Sequence, residues 1–354
     1  MTINPGNAPT FEIYYGNPGT VITDQSLRLH SERLSPYLYE SWQVAHPLLL
    51  IGGVSYDYQS QPNDVLFAPL ADDRVIHRQL SPKAAVVWTP TPRATARAAY
   101  SQSLGGVDLD QSVRLEPTQL AGFVQGYRNL FPDSLVGAVG GARFETADVS
   151  LDYRFPTGTY VAVSGELLRS KVDHGVGAFQ RDLFTSDGPA VQLDERLRFQ
   201  ERSVDVSLHQ LLADWFSFGA RYRLADARLT TTYPGVDPAL GPLDPTQLTP
   251  IGPTSRGLLH QVSISGLFQH PSGVFAGAEA TWWSQELKDG LAGIPADTFW
   301  QVNLQIGYRS PRRHAEIAIG VLNVAGRDYR LYPINLYPDL PRERTLFARL
   351  QMNF

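Results

Sequence analysis

The stretch Trp300-Gln301-Val302-Asn303-Leu304-Gln305-Ile306-Gly307-Tyr308 alternates large apolar residues with polar or small ones without a break. A period of two sends successive side chains to opposite faces of an extended strand, so this segment has one apolar and one polar face. Wound as a helix, the same residues would scatter both kinds around the circumference. The pattern recurs. Ala147, Val149, Leu151, Tyr153 and Phe155 alternate with Asp148, Ser150, Asp152 and Arg154. Phe216, Phe218, Ala220, Tyr222 and Leu224 alternate with Ser217, Gly219, Arg221 and Arg223. At the end of the chain Leu346, Ala348, Leu350, Met352 and Phe354 share one face. The chain reads as all-β.

Two-faced strands occur in soluble sandwiches too, and the connections separate the cases. Strands are expected near 32–43, 47–58, 80–89, 93–102, 143–155, 159–169, 198–210, 215–226, 257–268, 273–285, 298–309, 313–323 and 344–354, with a further start near Phe11. Short connections sit at Ala45 to Pro47, Thr89 to Pro92, Pro156 to Gly158, Leu212 to Asp214, Gln269 to Ser272 and Ser310 to Arg312. Between them fall long connections over about 59–79, 103–142, 170–197, 227–256, 286–297 and 324–343. Tight turns on one rim and long loops on the other are the arrangement of an outer-membrane barrel. Aromatic residues fall at both rims: Trp42, Trp88, Phe155, Trp215, Phe268, Tyr308 and Phe354 by the short turns, and Tyr56, Tyr100, Trp282 and Trp300 by the long loops. Such girdles mark membrane interfaces. The most strongly apolar run, Leu48 to Ile51, is far too short for a membrane helix, which leaves a closed barrel as the way to cross. The fold expected is an antiparallel up-and-down transmembrane outer-membrane β-barrel, or the C-terminal part of one, with about 12–14 strands. Residues 32–354 form the barrel and 1–31 a leading segment. Met1 to Thr10 (MTINPGNAPT) has neither a basic nor an apolar export region, so a longer N-terminal region is expected ahead of it.

Composition narrows the function classes. The net charge of -5 argues against nucleic acid as a partner. Without cysteine there is no disulfide framework and no thiolate metal site. The eight histidines show no ligand spacing, no serine lies in a G-x-S-x-G context, and Gly137, Gly140 and Gly141 precede no helix. No catalytic, cofactor-binding or metal residue is therefore expected, and the chain does not read as an enzyme.

If the apolar faces meet lipid, the lumen receives Asp148, Asp152, Arg154, Asp205, His209, Arg221, Arg223, Gln301, Asn303, Gln305 and Arg349. Their mixed signs predict no strong ion selectivity. The long connection from Ser103 to Arg143 carries too many apolar residues for a solvated loop, and it is expected to fold inward and help capture a ligand. Its candidates are Arg114, Glu116, Phe123, Tyr127 and Arg128.

The last stretch supplies a resemblance. Gly320-Val321-Leu322-Asn323-Val324-Ala325-Gly326-Arg327-Asp328-Tyr329, then Pro341-Arg342-Glu343-Arg344-Thr345 and a strand ending at Phe354, resembles the C-terminal end of TonB-dependent receptors. Ser81-Pro82-Lys83, and Tyr100 with Ser101, are similar to mid-barrel strands of that family. The resemblance implies an outer-membrane transport protein of a Gram-negative bacterium that takes up an unidentified ligand. It also implies a plug, absent from this chain, through which an energy-coupling protein would act. Leu350, Met352 and Phe354 look like the signal read by the outer-membrane barrel assembly machinery. Two other readings stand beside this one: a barrel that exports or anchors for a periplasmic helical-repeat module, and a soluble all-β binding protein.

Overall fold

A computed structural model describes residues 10–12, 30–64, 70–105, 115–125, 140–181, 190–235, 254–289, 297–310, 314–332, 334–337 and 340–352. Among them there is no helix. The strands are β1 (Thr10–Glu12), β2 (Glu32–Leu34), β3 (Tyr37–Ala45), β4 (Leu48–Asp64), β5 (Ala71–Thr91), β6 (Ala94–Leu104), β7 (Gln119–Leu120), β8 (Phe123–Val124) and β9 (Arg143–Arg154). There follow β10 (Thr159–Arg181), β11 (Ala190–Ala213), β12 (Phe216–Thr232), β13 (Thr254–Gln269), β14 (Val274–Asp289), β15 (Asp297–Arg309), β16 (Ala315–Leu322) and β17 (Thr345–Met352).

One antiparallel sheet runs in chain order from β2 through β4, β5, β6 and β9 to β17. β2 and β3 both pair with β4 and act as one strand broken at Ser35-Pro36. Pro36 has no N–H to give the ladder, but its carbonyl still accepts from Tyr56 N at 3.0 Å. Among the described residues the wall thus has thirteen strands, each beside its neighbour in sequence. The small hairpin β7–β8 stands apart from it. β1, inside the leading segment, pairs with the far end of β10, Thr10 opposite Arg181. The two edge strands, β3 and β17, both run toward the short-turn rim. An antiparallel closure between them therefore needs an odd number of further strands.

The connections expected over 59–79 and 170–197 are corrected by the structure. The β4–β5 ladder continues to Asp64 opposite Ala71, and β10–β11 to Phe179 opposite Ala190. The reason is a change of phase within the strands. On β11, Val204, Val206 and Leu208 stand open on one face, with Val204 46% exposed, whereas Leu193, Leu197 and Phe199 are buried on the other. The apolar positions move from even to odd numbers near Glu201, which hides the continuing strand from any search for a single alternation. β10 makes the same switch between Val163 and Leu168, and β9 between Val149 and Phe144. From Val204 to Leu212, β11 supplies nine residues before its short turn, enough to cross hydrocarbon at a tilt. Along that stretch the outer face is open and apolar, as lipid requires; beyond it the apolar residues turn inward and the outer face becomes charged.

Candidate functional site

The lumen is built from positions opposite the open apolar face. Near the short-turn rim it is polar. On that inner face Arg221 Nη2 meets Asp205 at 2.6 Å, Arg97 meets Asp152 at 2.7 Å, and Arg349 meets Glu316 at 2.6 Å. Arg154 lies over the ring of Tyr160, 5.3 Å from its centroid. His209 lies against Gly219, and Gln305 packs on Gly277. Asp148 is opposite Glu166 in the ladder and buried. Arg223 reaches Glu201 at 3.1 Å. Gln301 donates to the Pro341 carbonyl at 3.0 Å, and Asn303 Oδ1 accepts from Asn323 N at 2.9 Å. The set does not converge on one point: its members are spread around the wall, five of the eleven in local ion pairs.

Two segments descend into this space. The first runs over 115–125, where β7 and β8 join through Ala121 and Gly122. Both have positive φ (51° and 92°), as a two-residue turn between twisted strands requires. Glu116 and Lys83 form an ion pair with both side chains fully buried, and Lys83 also donates to Ser55 Oγ at 2.9 Å. Tyr39 Oη donates to Glu116 at 2.7 Å and accepts from Gln125 Nε2 at 3.0 Å. Arg97 sits 5.6 Å from the Phe123 ring centroid. Arg97 is only three residues beyond the first residue of β6, so the hairpin reaches almost to the short-turn rim. Glu116 and Phe123 are thus inside the lumen; Arg114, Tyr127 and Arg128 lie outside the described residues, as does Phe354. Leu350 and Met352 stand on the open face.

The second segment is the connection from β16 to β17. Asn323, fully buried with φ of 49°, ties its ends together: Nδ2 donates to the carbonyls of Arg327 and Pro341 at 2.9 Å, and Oδ1 accepts from Arg327 N at 3.0 Å. Asparagine tolerates that backbone region better than most residues. Tyr329 stacks on Phe299 at 5.6 Å between centroids, and Arg342 lies over the Tyr329 ring, 4.5 Å from its centroid. Ile334 and Leu336 enter an apolar cluster with Phe144, Leu168, Phe199 and Leu229 on the inner wall. Asn335 Nδ2 donates to Ala225 O at 3.0 Å, and Leu336 N to Glu201 at 2.8 Å. The upper lumen therefore contains a folded core, not an aqueous bore.

Sequence reasoning missed Lys83, Tyr39, Asn335 and Glu201. Lys83 entered the sequence reading only within the Ser81-Pro82-Lys83 resemblance, with no role of its own; Glu201 and the apolar cluster were signalled by the change of phase.

The comparisons agree with this architecture. Residues 2–130 match the family described as TonB dependent receptor-like, beta-barrel. The FrpB iron transporter from Neisseria meningitidis (F3-3 variant) aligns with a TM-score of 0.56 and 14% identity, covering 91% of this chain and 46% of that one. The copper transporter OprC gives 0.49 and 15% identity, covering 92% and 48%. The ferric-catecholate import receptor Fiu from E. coli K12, in its closed form, gives 0.45 and 14%, covering 92% and 45%. No curated protein sequence matches. The chain spans about half the length of these structures. Residues 2–130 are thus similar to the TonB-dependent-receptor-like β-barrel family, and the fold of the whole wall is that of an outer-membrane β-barrel.

Proposed function

We propose that this wall is part of an outer-membrane importer, taking up a small solute through a lumen that is closed at rest. The observation that carries the reading is the inward hairpin, held by the buried Lys83–Glu116 pair. An interior filled by tethered segments is unsuited to free diffusion and suited to passage coupled to a movement. The likeness to an iron transporter favours a metal chelate as the solute. A plug domain and an energy-coupling partner belong to the same proposal, as do the outer-membrane location and insertion by the barrel assembly machinery. The division into a leading segment over 1–31 and a barrel over 32–354 is also part of it, with β1 returning to the wall.

The test is uptake of radiolabelled iron and copper chelates by cells expressing the full-length protein. Saturable uptake that stops when the proton gradient is collapsed supports the proposal. Unsaturable flux that ignores the gradient points to a passive pore, and uptake no greater than in cells lacking the protein contradicts it.

A further inference from the structure

Where the apolar residues turn inward, the outer face of β9 to β12 becomes strongly basic. Lys171 stands directly opposite Arg143 on one side and Arg198 on the other. One step lower, Arg169 is opposite Gln200, which is opposite Arg228. All five cations are exposed, and they border a hollow of about 680 Å³ whose one acidic lining residue is Glu145. Neighbouring strands are about 4.8 Å apart, so the charges form one continuous patch. Like charges directly opposite in a ladder repel. Carboxylates answer part of this: Asp173 takes Arg198 at 2.6 Å, and Glu145 is 3.9 Å from Arg169. The hydrogen bond from Arg198, with Arg196 and Lys171 nearby, holds the Asp173 carboxyl below its usual range. Arg143, Lys171 and Arg228 have no carboxylate within ion-pair distance among the described residues. The patch is left with a surplus of positive charge facing away from the lumen.

Its height on the wall identifies the counter-ion. Val163 on β10 and Val204 on β11 lie just below, open on the same face. A patch set immediately above a lipid-facing band lies at the level of the headgroups. We infer that it binds phosphate-bearing lipid headgroups of the membrane leaflet on the long-loop side. Guanidinium and ammonium groups are matched to phosphate oxygens, and a lipid anchored by its chains along Val163 and Val204 presents them at this level. The inference rests on the membrane-spanning reading of the wall.

The experiment is native mass spectrometry of the full-length protein from phosphatidylcholine nanodiscs doped with bis-phosphorylated lipid A or with its dephosphorylated form. The phosphorylated lipid should remain as a bound adduct, the dephosphorylated one should not, and inorganic phosphate should fail to displace it. Arg143→Gln/Lys171→Gln/Arg228→Gln should lower adduct occupancy at least about tenfold, while Arg143→Lys/Arg228→Lys retains it. Equal retention of both lipids, or displacement by inorganic phosphate, overturns the inference alone. A wild-type protein that does not enter nanodiscs overturns the membrane reading and this inference with it.

Discussion

Lys83 and Glu116 show at the residue scale how the interior is held. Both are fully buried, so each is tolerable there only because of the other. Breaking such a pair by removing one member typically costs about 3–5 kcal/mol, whereas replacing both with apolar groups is often neutral. Lys83→Met should therefore release the 115–125 hairpin, and Lys83→Met/Glu116→Leu should restore it. The chain has no cysteine, so a single Ala121→Cys reports directly: maleimide labelling should quicken in the single-charge variant and slow again in the double. Unchanged labelling would mean the pair does not anchor the hairpin. Gly122→Ala should loosen the same turn, because its φ of 92° excludes a side chain and an added Cβ would strike the Arg97 guanidinium. Some of this was legible beforehand. Asn323, Tyr329 and Arg342 stand in a recognisable local motif, and the structure gives each a task in tying down the last connection. Lys83 and Glu116 were not paired in advance, since they lie 33 residues apart and nothing local couples them.

At the scale of the element, each strand carries two messages in series. Below Glu201, the open positions Val204, Val206 and Leu208 of β11 answer to lipid; above it, Leu193, Leu197 and Phe199 answer to a core inside the barrel. Val206→Lys should destabilise the barrel by about 2–4 kcal/mol, the cost of a cation on the lipid face near the midplane. Ser207→Lys, one residue along and facing the lumen, should cost much less; urea unfolding midpoints in lipid vesicles compare them. Equal losses would contradict the assignment of faces. The strands were legible where a single alternation persists, as in Trp300 to Tyr308, and illegible where the phase flips. That is why the ladder from Lys171 to Phe179 reads as loop from sequence and forms strand in the structure.

For the whole molecule, the thirteen-strand wall has two edges that run the same way. It also holds two inward segments that fill its upper lumen and reach toward the lower rim. The first property means that an antiparallel closure needs an odd number of further strands; the second supports the proposed closed resting state. Both depend on one claim, that the open apolar face of these strands meets lipid. The most direct test places bimane at single cysteines from 193 to 208 along β11 in the full-length protein, reconstituted with brominated lipid. The account predicts quenching at positions 204, 206 and 208, none at 203, 205 and 207, and none at 196 and 198, where the outer face has passed into the headgroup region. Quenching that ignores parity, or none at all, would contradict a membrane-spanning wall.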